Sequence, residues 1–131
     1  MIKARFVTPE GFYKEVETSI LNVNSTDGQR GILPNHMPIV LMLNISRLET
    51  NENGKKTQYA IGGGILYFNN NEATILVNSI ESQEEIDEKR AIEAKNRAEG
   101  YLKSKDPNID IKRAQLALTR ALNRIDVLGY K

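Results

Sequence analysis

The feature that most constrains the fold is a change of periodicity near Ser82. Before this residue, short β-branched and aromatic runs alternate with polar residues and are separated by turns. After it, apolar residues recur every three or four positions. Alternation is the period of a half-buried strand, and a spacing of three and four is that of an amphipathic helix. The sequence therefore predicts an α+β chain with a β domain at residues 1–82 and a helical hairpin at residues 83–131.

The turns of the first part predict many short antiparallel strands. Asn53-Gly54 separates two strand-like runs, and this pair favours a type I′ hairpin turn because both of its residues adopt positive φ. Asn69-Asn70-Asn71 predicts a second tight turn. The alternating run at residues 15–24 predicts one strand that ends at Ser25-Thr26-Asp27-Gly28. Short strands with frequent turns are typical of a sandwich or a flattened barrel.

The second part has the signals of two helices. Ser82-Gln83-Glu84-Glu85 has the pattern of a capping box and predicts the first helix start, while Asp106-Pro107-Asn108 ends that helix and Asp110 opens the next. Leu102 and Leu122 widen one apolar face, which we expect to lie against the β domain. Positions spaced alternately by three and four predict a short antiparallel coiled coil with an alanine-rich seam: Asp87, Ala91, Ala94, Ala98 and Tyr101 in the first helix, and Ile111, Ala114, Leu118, Ala121, Ile125 and Leu128 in the second.

Composition excludes several kinds of function. The chain has no Cys and one His, His36, which is more often a structural residue than a ligand, so we expect neither thiolate chemistry nor a histidine metal site. A net charge of +1 gives no general attraction to nucleic acid. The apolar stretch at residues 37–43 is too short to cross a bilayer, and the N-terminus enters a strand pattern at once, so we expect a cytosolic protein without a signal peptide that can still sit on a membrane complex.

No set of residues stands out as a catalytic site. Gly62-Gly63-Gly64 lacks the Gly-Lys-Ser/Thr of a phosphate loop and does not open a helix. We expect these glycines to mark a kink or a close approach of two strands. There is also no paired carboxylate or nucleophile with its base. An enzyme built on the β domain is therefore the less favoured alternative, and an interaction subunit the favoured one.

Arginines on one flank of the predicted helix pair are the best candidates for a binding site. If Ala91 and Ala98 occupy heptad position a, Arg90 and Arg97 both fall at g, and g faces g in an antiparallel pair. The same flank of the second helix carries Arg124, with Arg120 one turn earlier. A bound polyanion would satisfy these converging guanidinium groups, since arginine binds phosphate oxygens bidentately.

The arginine flank is also compatible with two roles that involve no small anion. The arginines can extend into solvent or pair with Glu93, Glu99 and Asp126. The helix pair can also be an arginine-rich hairpin for RNA or DNA, although interleaved acids and a near-neutral net charge disfavour it.

Several short segments together resemble the ε subunit of bacterial F-type ATP synthase. They occur in order along nearly the whole chain: Gly11-Phe12-Tyr13 with Glu15-Val16, Gly31-Ile32-Leu33-Pro34 with His36 and Pro38, Gly63-Gly64, and Ile86-Asp87-Glu88-Lys89-Arg90-Ala91. The chain departs from the family pattern at Gln29, where an acid is common, and at Asn35, where Gly is common.

The resemblance implies a ten-stranded β-sandwich and a C-terminal helical hairpin in a non-catalytic rotor subunit of the central stalk. Its implied partners are the γ subunit and the membrane c-ring for the sandwich, and the α/β catalytic head for the hairpin when it extends to inhibit ATP hydrolysis. It implies no nucleic-acid partner and a peripheral position on the cytoplasmic face of the bacterial cell membrane, where the complex couples proton flow to ATP synthesis.

Some members of this family bind ATP on the folded hairpin through Ile or Leu followed by Asp-x-x-Arg-Ala and further arginines. This pattern implies ATP as a regulatory ligand and no catalytic cofactor. On this chain the implied ATP-binding residues are Glu81, Ile86, Asp87, Arg90, Ala91, Arg97, Arg120 and Arg124.

Overall fold

The computed structural model describes residues 1–130 and has eight strands followed by two helices. The strands are β1 (Ile2–Thr8), β2 (Gly11–Thr18), β3 (Leu21–Ser25), β4 (Gly28–Ile32), β5 (Ile39–Glu52), β6 (Lys55–Asn69), β7 (Glu72–Val77) and β8 (Ile80–Ser82); the helices are α1 (Glu88–Lys103) and α2 (Ile111–Leu128). The predicted α+β architecture, with a β-sandwich before a helical hairpin, is confirmed.

The strands follow the order β2-β1-β7-β6-β5-β3-β4, and β8 pairs with β6. β1 runs parallel to β7, and the other pairs are antiparallel. Alternate residues of β1, β3 and β7 are buried and form one core with Phe6, Tyr59, Leu66 and Phe68. The alternation predicted from the sequence therefore produces this core.

The strand count is eight and not the ten that the family resemblance implies. β5 and β6 are 14 and 15 residues long, and they stay paired from end to end. β6 pairs first with β8 and then, beyond Gly62 and Gly63, with β7. One long strand therefore serves two parts of the sheet.

The triple glycine lies where β6 changes its partner from β8 to β7, and the close approach predicted there is confirmed. Gly63 has φ +85°, a conformation that side chains disfavour. A Cβ on Gly64 would overlap the carbonyl oxygen of Leu76 on β7, and one on Gly62 would overlap the Ser79 hydroxyl. Only glycine lets the backbones approach this closely.

Both asparagine turns are confirmed, but the predicted strand at residues 15–24 is wrong. Asn53 and Gly54 have φ 56° and 81°, and Asn70 and Asn71 have φ 51° and 61°. The run at residues 15–24 is divided between β2 and β3, because the Thr18 hydroxyl donates to Ile20 O at 2.6 Å and turns the chain. Its buried face changes there, from Val16 and Thr18 to Leu21 and Val23.

Helix α1 begins six residues later than Ser82. Its N-cap is Asp87, which accepts a hydrogen bond from Arg90 N. Ser82 and Glu85 do exchange hydrogen bonds, with Ser82 N donating to Glu85 Oε1 and Glu85 N to Ser82 O, both at 3.0 Å, but these close a turn. The prediction of a capping box at Ser82 is therefore wrong as a helix start, whereas Asp110 caps α2 as predicted.

The alanine seam of the hairpin is confirmed, and the predicted docking face is not. Ala91, Ala98, Ala114 and Ala121 are all buried, so the two helices pack closely through them. Tyr101 and Ile111 at the open end of the predicted seam are mostly exposed. The sandwich receives α2 through a face that does not include Leu122.

Leu122 is 40% exposed, because α2 docks with the face that carries Asn123 and Val127. The Asn123 amide donates to Ser46 O at 2.9 Å and to Ile61 O at 3.4 Å. Val127 is fully buried in a small apolar cluster with Ala60 and Ile86, and Leu128 packs beside it. This docking fixes where the arginines of the hairpin lie.

Candidate functional site

A cleft of about 280 Å³ opens where α1 begins, between the hairpin and the edge of the sandwich. Strand β8, the linker to α1, the first half of α1 and the last turns of α2 all contribute to it. Its lining residues are Glu81, Glu85, Asp87, Arg90, Ala91, Glu93, Ala94, Arg97 and Arg124. The cleft therefore exists only while the hairpin is folded on the sandwich.

Local helix geometry brings the arginines together. Arg90 and Arg97 are seven residues apart, about two turns, and so project from the same side of α1. Buried alanines allow α2 to approach, and Arg124 comes from that helix to the same cleft. The convergence expected from the heptad positions thus holds for these three guanidinium groups.

One of these arginines is tied to the sandwich. Arg124 Nε donates to Glu81 Oε1 at 2.5 Å, with about a third of each side chain exposed. Charge-assisted hydrogen bonds of this kind are stronger than neutral ones, although solvent screens a partly exposed pair. The pair links β8 directly to α2 at the floor of the cleft.

The start of α1 is capped by an acidic side chain of the chain itself. The Asp87 carboxylate accepts from Arg90 N at 3.1 Å and caps the helix. The N-terminal end of a helix carries a partial positive charge and unpaired N–H groups. The carboxylates of Asp87 and Glu88 therefore already meet this positive helix end, and Arg90 stands beside them.

The Glu85 side chain forms hydrogen bonds that hold the linker in place. It accepts hydrogen bonds from the Tyr13 hydroxyl and from Ser82 N. The Tyr13 hydroxyl and, after it, the Ser82 N–H lower the pKa of Glu85 below its usual value. Burial, with the hydrogen bond to Glu85 adding to it, raises the pKa of Tyr13 to about 12. The pair fastens the linker to β2.

Two arginines of the cleft have no ion-pair partner among the described residues, although the lining as a whole carries three arginines and four carboxylates. Among residues 1–130, no acidic side chain lies within ion-pair distance of Arg90, Arg97 or Arg120. The alternative pairing of arginines with Glu99 is not found among residues 1–130, where Glu99 Oε1 instead lies 3.6 Å from Lys95 Nζ. Within the described chain, Glu93 is the one cleft carboxylate without a hydrogen-bond or ion-pair partner.

Six of the eight residues implied for ATP binding line this cleft, and two do not. Ile86 is 7% exposed and packs under the cleft against Ala60 and Val127, so its side chain holds the hairpin in place. Arg120 faces a neighbouring crevice beside Asn123, which also touches Glu81 and Arg124. The cleft residues from the implied set are Glu81, Asp87, Arg90, Ala91, Arg97 and Arg124.

The sequence did not indicate Glu85, Glu93 and Ala94 as cleft residues. Glu85 looked like part of a helix cap, and its partner Tyr13 is 72 residues away. Glu93 and Ala94 lie on the same side of α1 as Arg90 and Arg97, so helix periodicity was the available signal. In the part of the chain that the structure describes, no three His, Asp or Glu side chains group as a metal site, and no helix is long and apolar enough to cross a membrane.

The fold and the cleft define a class of protein: a β-sandwich that carries a folded helical hairpin with an arginine-lined cleft at their junction. Two family models match the chain, the ATP synthase delta/epsilon chain β-sandwich domain at residues 1–83 and the ATP synthase delta/epsilon chain long α-helix domain at residues 84–129. The chain belongs to the ATP synthase delta/epsilon chain family, and the resemblance to the ε subunit is confirmed.

Relatives and solved structures agree with this family. The ATP synthase epsilon chain of Bacillus licheniformis is 40% identical over 126 residues, which cover 96% of each chain. That of Clostridium novyi is 43% identical over 128 residues, again 96% of each chain. A chain in the cryo-EM structure of Euglena gracilis mitochondrial ATP synthase, OSCP/F1/c-ring in rotational state 1, is 25% identical with a TM-score of 0.83, covering 98% of this chain and 81% of that one.

A chain in the central stalk/c-ring structure of the Tetrahymena thermophila mitochondrial ATP synthase shares the fold at 13% identity and a TM-score of 0.65.

Proposed function

We propose that this chain is a non-catalytic rotor subunit of the central stalk of a bacterial ATP synthase, where it helps couple proton flow to ATP synthesis and restrains ATP hydrolysis. Family membership along nearly the whole chain and relatives named as epsilon chains support this role. Its place would be on the cytoplasmic face of the cell membrane, peripheral through the complex.

The sandwich offers an apolar surface for the γ subunit. Val40 and Met42 on β5, Tyr67 on β6 and Leu76 on β7 are all more than 40% exposed. They lie side by side: Val40 pairs with Tyr67, and the next row of paired residues runs from Met42 across β6 to Leu76. An exposed apolar patch of this kind marks an interaction site. We assign γ to this face.

The c-ring contact is assigned to the loop that follows β4. Leu33 and Met37 are 57% and 72% exposed at its tip. Asn35, where the family commonly has Gly, has φ 68° and so keeps a left-handed conformation. Its backbone N–H donates to Asn71 Oδ1 at 2.6 Å, and Asn71 Nδ2 donates to Asn35 Oδ1 at 3.1 Å. These bonds support an Asn where Gly would otherwise be easier.

ATP is the ligand that we propose for the cleft. Its phosphates would meet Arg90 and Arg97, which have no acidic partner among the described residues. Arg124 would hold the opposite wall, and Arg120 would join by rotating its exposed side chain around α2. Asp87 stays on the helix cap and orients Arg90 or accepts from the adenine amino group. The small, open cleft leaves part of the nucleotide in solvent.

The observation that carries this proposal is that the cleft is built from the sandwich, the linker and both helices at once. A ligand bound there has its full set of contacts only in the folded hairpin, so it favours that state by its differential affinity. ATP at ten times its dissociation constant would stabilise the folded hairpin by about 1.4 kcal/mol. The extended hairpin would reach the α/β catalytic head and oppose rotation.

Isothermal titration of ATP into the isolated chain tests the cleft. Arg97→Ala should weaken binding by about 10- to 160-fold, because a charge-assisted hydrogen bond contributes about 1.5–3 kcal/mol. Arg113→Ala is the matched control, since this exposed arginine of α2 is not among the cleft residues. Absence of saturable binding at millimolar ATP, with the hairpin folded, would refute the site. The arginine flank would then be a contact for acidic surfaces of the catalytic head.

A further inference from the structure

The guanidinium group of Arg47 is held in a fixed orientation on the sandwich, away from the cleft. Arg47 Nη1 donates to Gln58 Oε1 at 2.7 Å and lies 3.1 Å from Glu49 Oε2. Gln58 Nε2 donates to the same carboxylate at 2.7 Å, and both Gln58 and Glu49 are at most 9% exposed. Burial opposes ionisation of Glu49, but the hydrogen bond from Gln58 and the charge of Arg47 lower its pKa below the usual value. The network therefore orients a cation whose flat face is available.

Tyr130, just after the end of α2, stacks on this guanidinium group. Arg47 Cζ is 3.6 Å from the centroid of the Tyr130 ring, within the range of a cation–π contact. Gln83 Nε2 donates to Val127 O at 2.8 Å and to Tyr130 O at 2.5 Å. Gln83 N in turn donates to Gln58 O at 2.9 Å. The sandwich, the linker and the last turn of α2 thus share one connected network.

Gln83 has a specific task in this network. The last carbonyl groups of a helix have no partner within the helix and must be satisfied from outside. In α2, Val127 O accepts from Tyr130 N at 3.1 Å and, as a second donor, from the Gln83 amide, while the Gln83 backbone remains bonded to β6. Undocking of α2 breaks these hydrogen bonds and separates Tyr130 from Arg47 at the same time.

We propose that Arg47, Gln83 and Tyr130 form a C-terminal clasp: an interaction surface on the sandwich whose occupant is the chain's own C-terminal segment, and which keeps the hairpin folded when no nucleotide is bound. The clasp shares no residue with the lining of the arginine cleft. The clasp proposal depends on the proposed function in one respect, which is that the hairpin can open. Tyr130 remains 43% exposed, so the clasp can release without disturbing the sandwich core.

Amide hydrogen exchange on the nucleotide-free full chain tests the clasp, because an undocked helix of 18 residues is marginally stable and its amides exchange. Tyr130→Ala should lower the protection of α2 by about 2- to 30-fold, the range of a cation–π contact. Tyr130→Phe keeps the ring and should keep the protection. Tyr101→Ala is the control, since this tyrosine is 50% exposed on α1 and belongs to no aromatic or cation–π pair among the described residues.

Two further variants separate the clasp from general loosening. Arg47→Met should lower α2 protection as Tyr130→Ala does, and the double variant should lower it little further, because both remove the same contact. If Arg47→Met disturbs β5 and β6, Gln83→Ala provides the second test through its hydrogen bonds to α2. Fully additive effects, unchanged protection in Tyr130→Ala, or an equal loss in Tyr101→Ala would each overturn the clasp.

The same measurement keeps the clasp apart from the nucleotide proposal. Adding ATP to the unmodified chain should raise α2 protection if the cleft binds nucleotide. Failure of that rise, together with the expected loss in Tyr130→Ala without nucleotide, would refute the ATP site and leave the clasp in place. A rise with ATP but no loss in Tyr130→Ala would refute the clasp alone.

Discussion

Replacement of Val127 by alanine should undock the hairpin by a calculable amount. Val127 is fully buried against Ala60 and Ile86, and this cluster is the apolar contact between α2 and the sandwich. Removing two methyl groups costs about 1.6 kcal/mol in transfer free energy, and an unfilled cavity adds up to about 1 kcal/mol. Alanine regains about 0.5 kcal/mol of helix propensity. The net loss is about 1–2 kcal/mol, or roughly 5- to 30-fold in the docking equilibrium.

Hydrogen exchange of α2 amides, compared with amides of β5 and β6 in the same sample, measures this loss. The matched control is Leu122→Ala on the same helix, where the side chain is already 40% exposed and the expected effect is smaller. Two results would refute the reasoning. One is an α2 protection unchanged in Val127→Ala; the other is an equal loss in both variants, which would mean that helix stability and not docking controls exchange.

Four more predictions concern the linker, the division of labour and the cleft. Because its pKa is lowered in the folded state, Glu85 contributes to folding stability above the ordinary carboxyl pKa of about 4.3, and this contribution is lost as the pH falls through the lowered folded pKa. NMR should therefore show α1 loosening at that acid pH. An unchanged acid response in Glu85→Gln would contradict the assignment. A chain ended at Ser82 retains β8 and should bind γ while releasing ATP hydrolysis in the reassembled complex; a folded fragment that does not join would refute this division. Glu93→Gln should raise ATP affinity about 2- to 5-fold in titration, because Glu93 is an anion beside the proposed phosphates and can pair with Arg97 one turn on; lower affinity would assign Glu93 a direct contact. The isolated chain should show no ATP turnover, and an activity that a substitution in this chain abolishes would contradict the non-catalytic role.

Local chemistry was enough to predict the parts of the fold that depend on neighbours in sequence. Asn53-Gly54 carries its own preference for positive φ, and the alanine spacing of the hairpin reports directly on helix contact. Asp110 caps α2 as expected and has no other side-chain partner among the described residues. These features need no knowledge of the rest of the chain.

The start of α1 shows why some features could not be predicted. Ser82 and Glu85 satisfy every local rule for a capping box, and their hydrogen bond forms. However, the same carboxylate also accepts from Tyr13, and burial of Ile86 against Ala60 and Val127 holds the linker to the sandwich. These are contacts between distant parts of the chain, and they delay the helix to Asp87.

The candidate site was likewise predictable from the sequence only in part. Heptad positions place Arg90, Arg97 and Arg124 on one flank, and the structure brings these three to one cleft. The heptad positions could not show that Glu81 pairs with Arg124 or that Arg120 faces another crevice. Both facts depend on how α2 packs on the sandwich. Docking through Asn123, whose amide reaches Ser46 O across 77 residues, sets that position.

If ATP binds in the cleft as proposed, the cleft and the proposed clasp together determine how strongly ATP controls the hairpin. Each would stabilise the folded state, and their contributions should add because they share no residues. If the clasp alone keeps nearly every molecule folded, a nucleotide contribution of about 1.4 kcal/mol changes the folded fraction very little. Weakening the clasp through Tyr130→Ala should therefore make the hairpin position more dependent on ATP, while the intrinsic affinity of the folded cleft stays the same. Hairpin opening followed with labels on two introduced cysteines, in a chain that has none of its own, measures this dependence. An ATP response equal to that of the unmodified chain would show that the clasp does not set the balance.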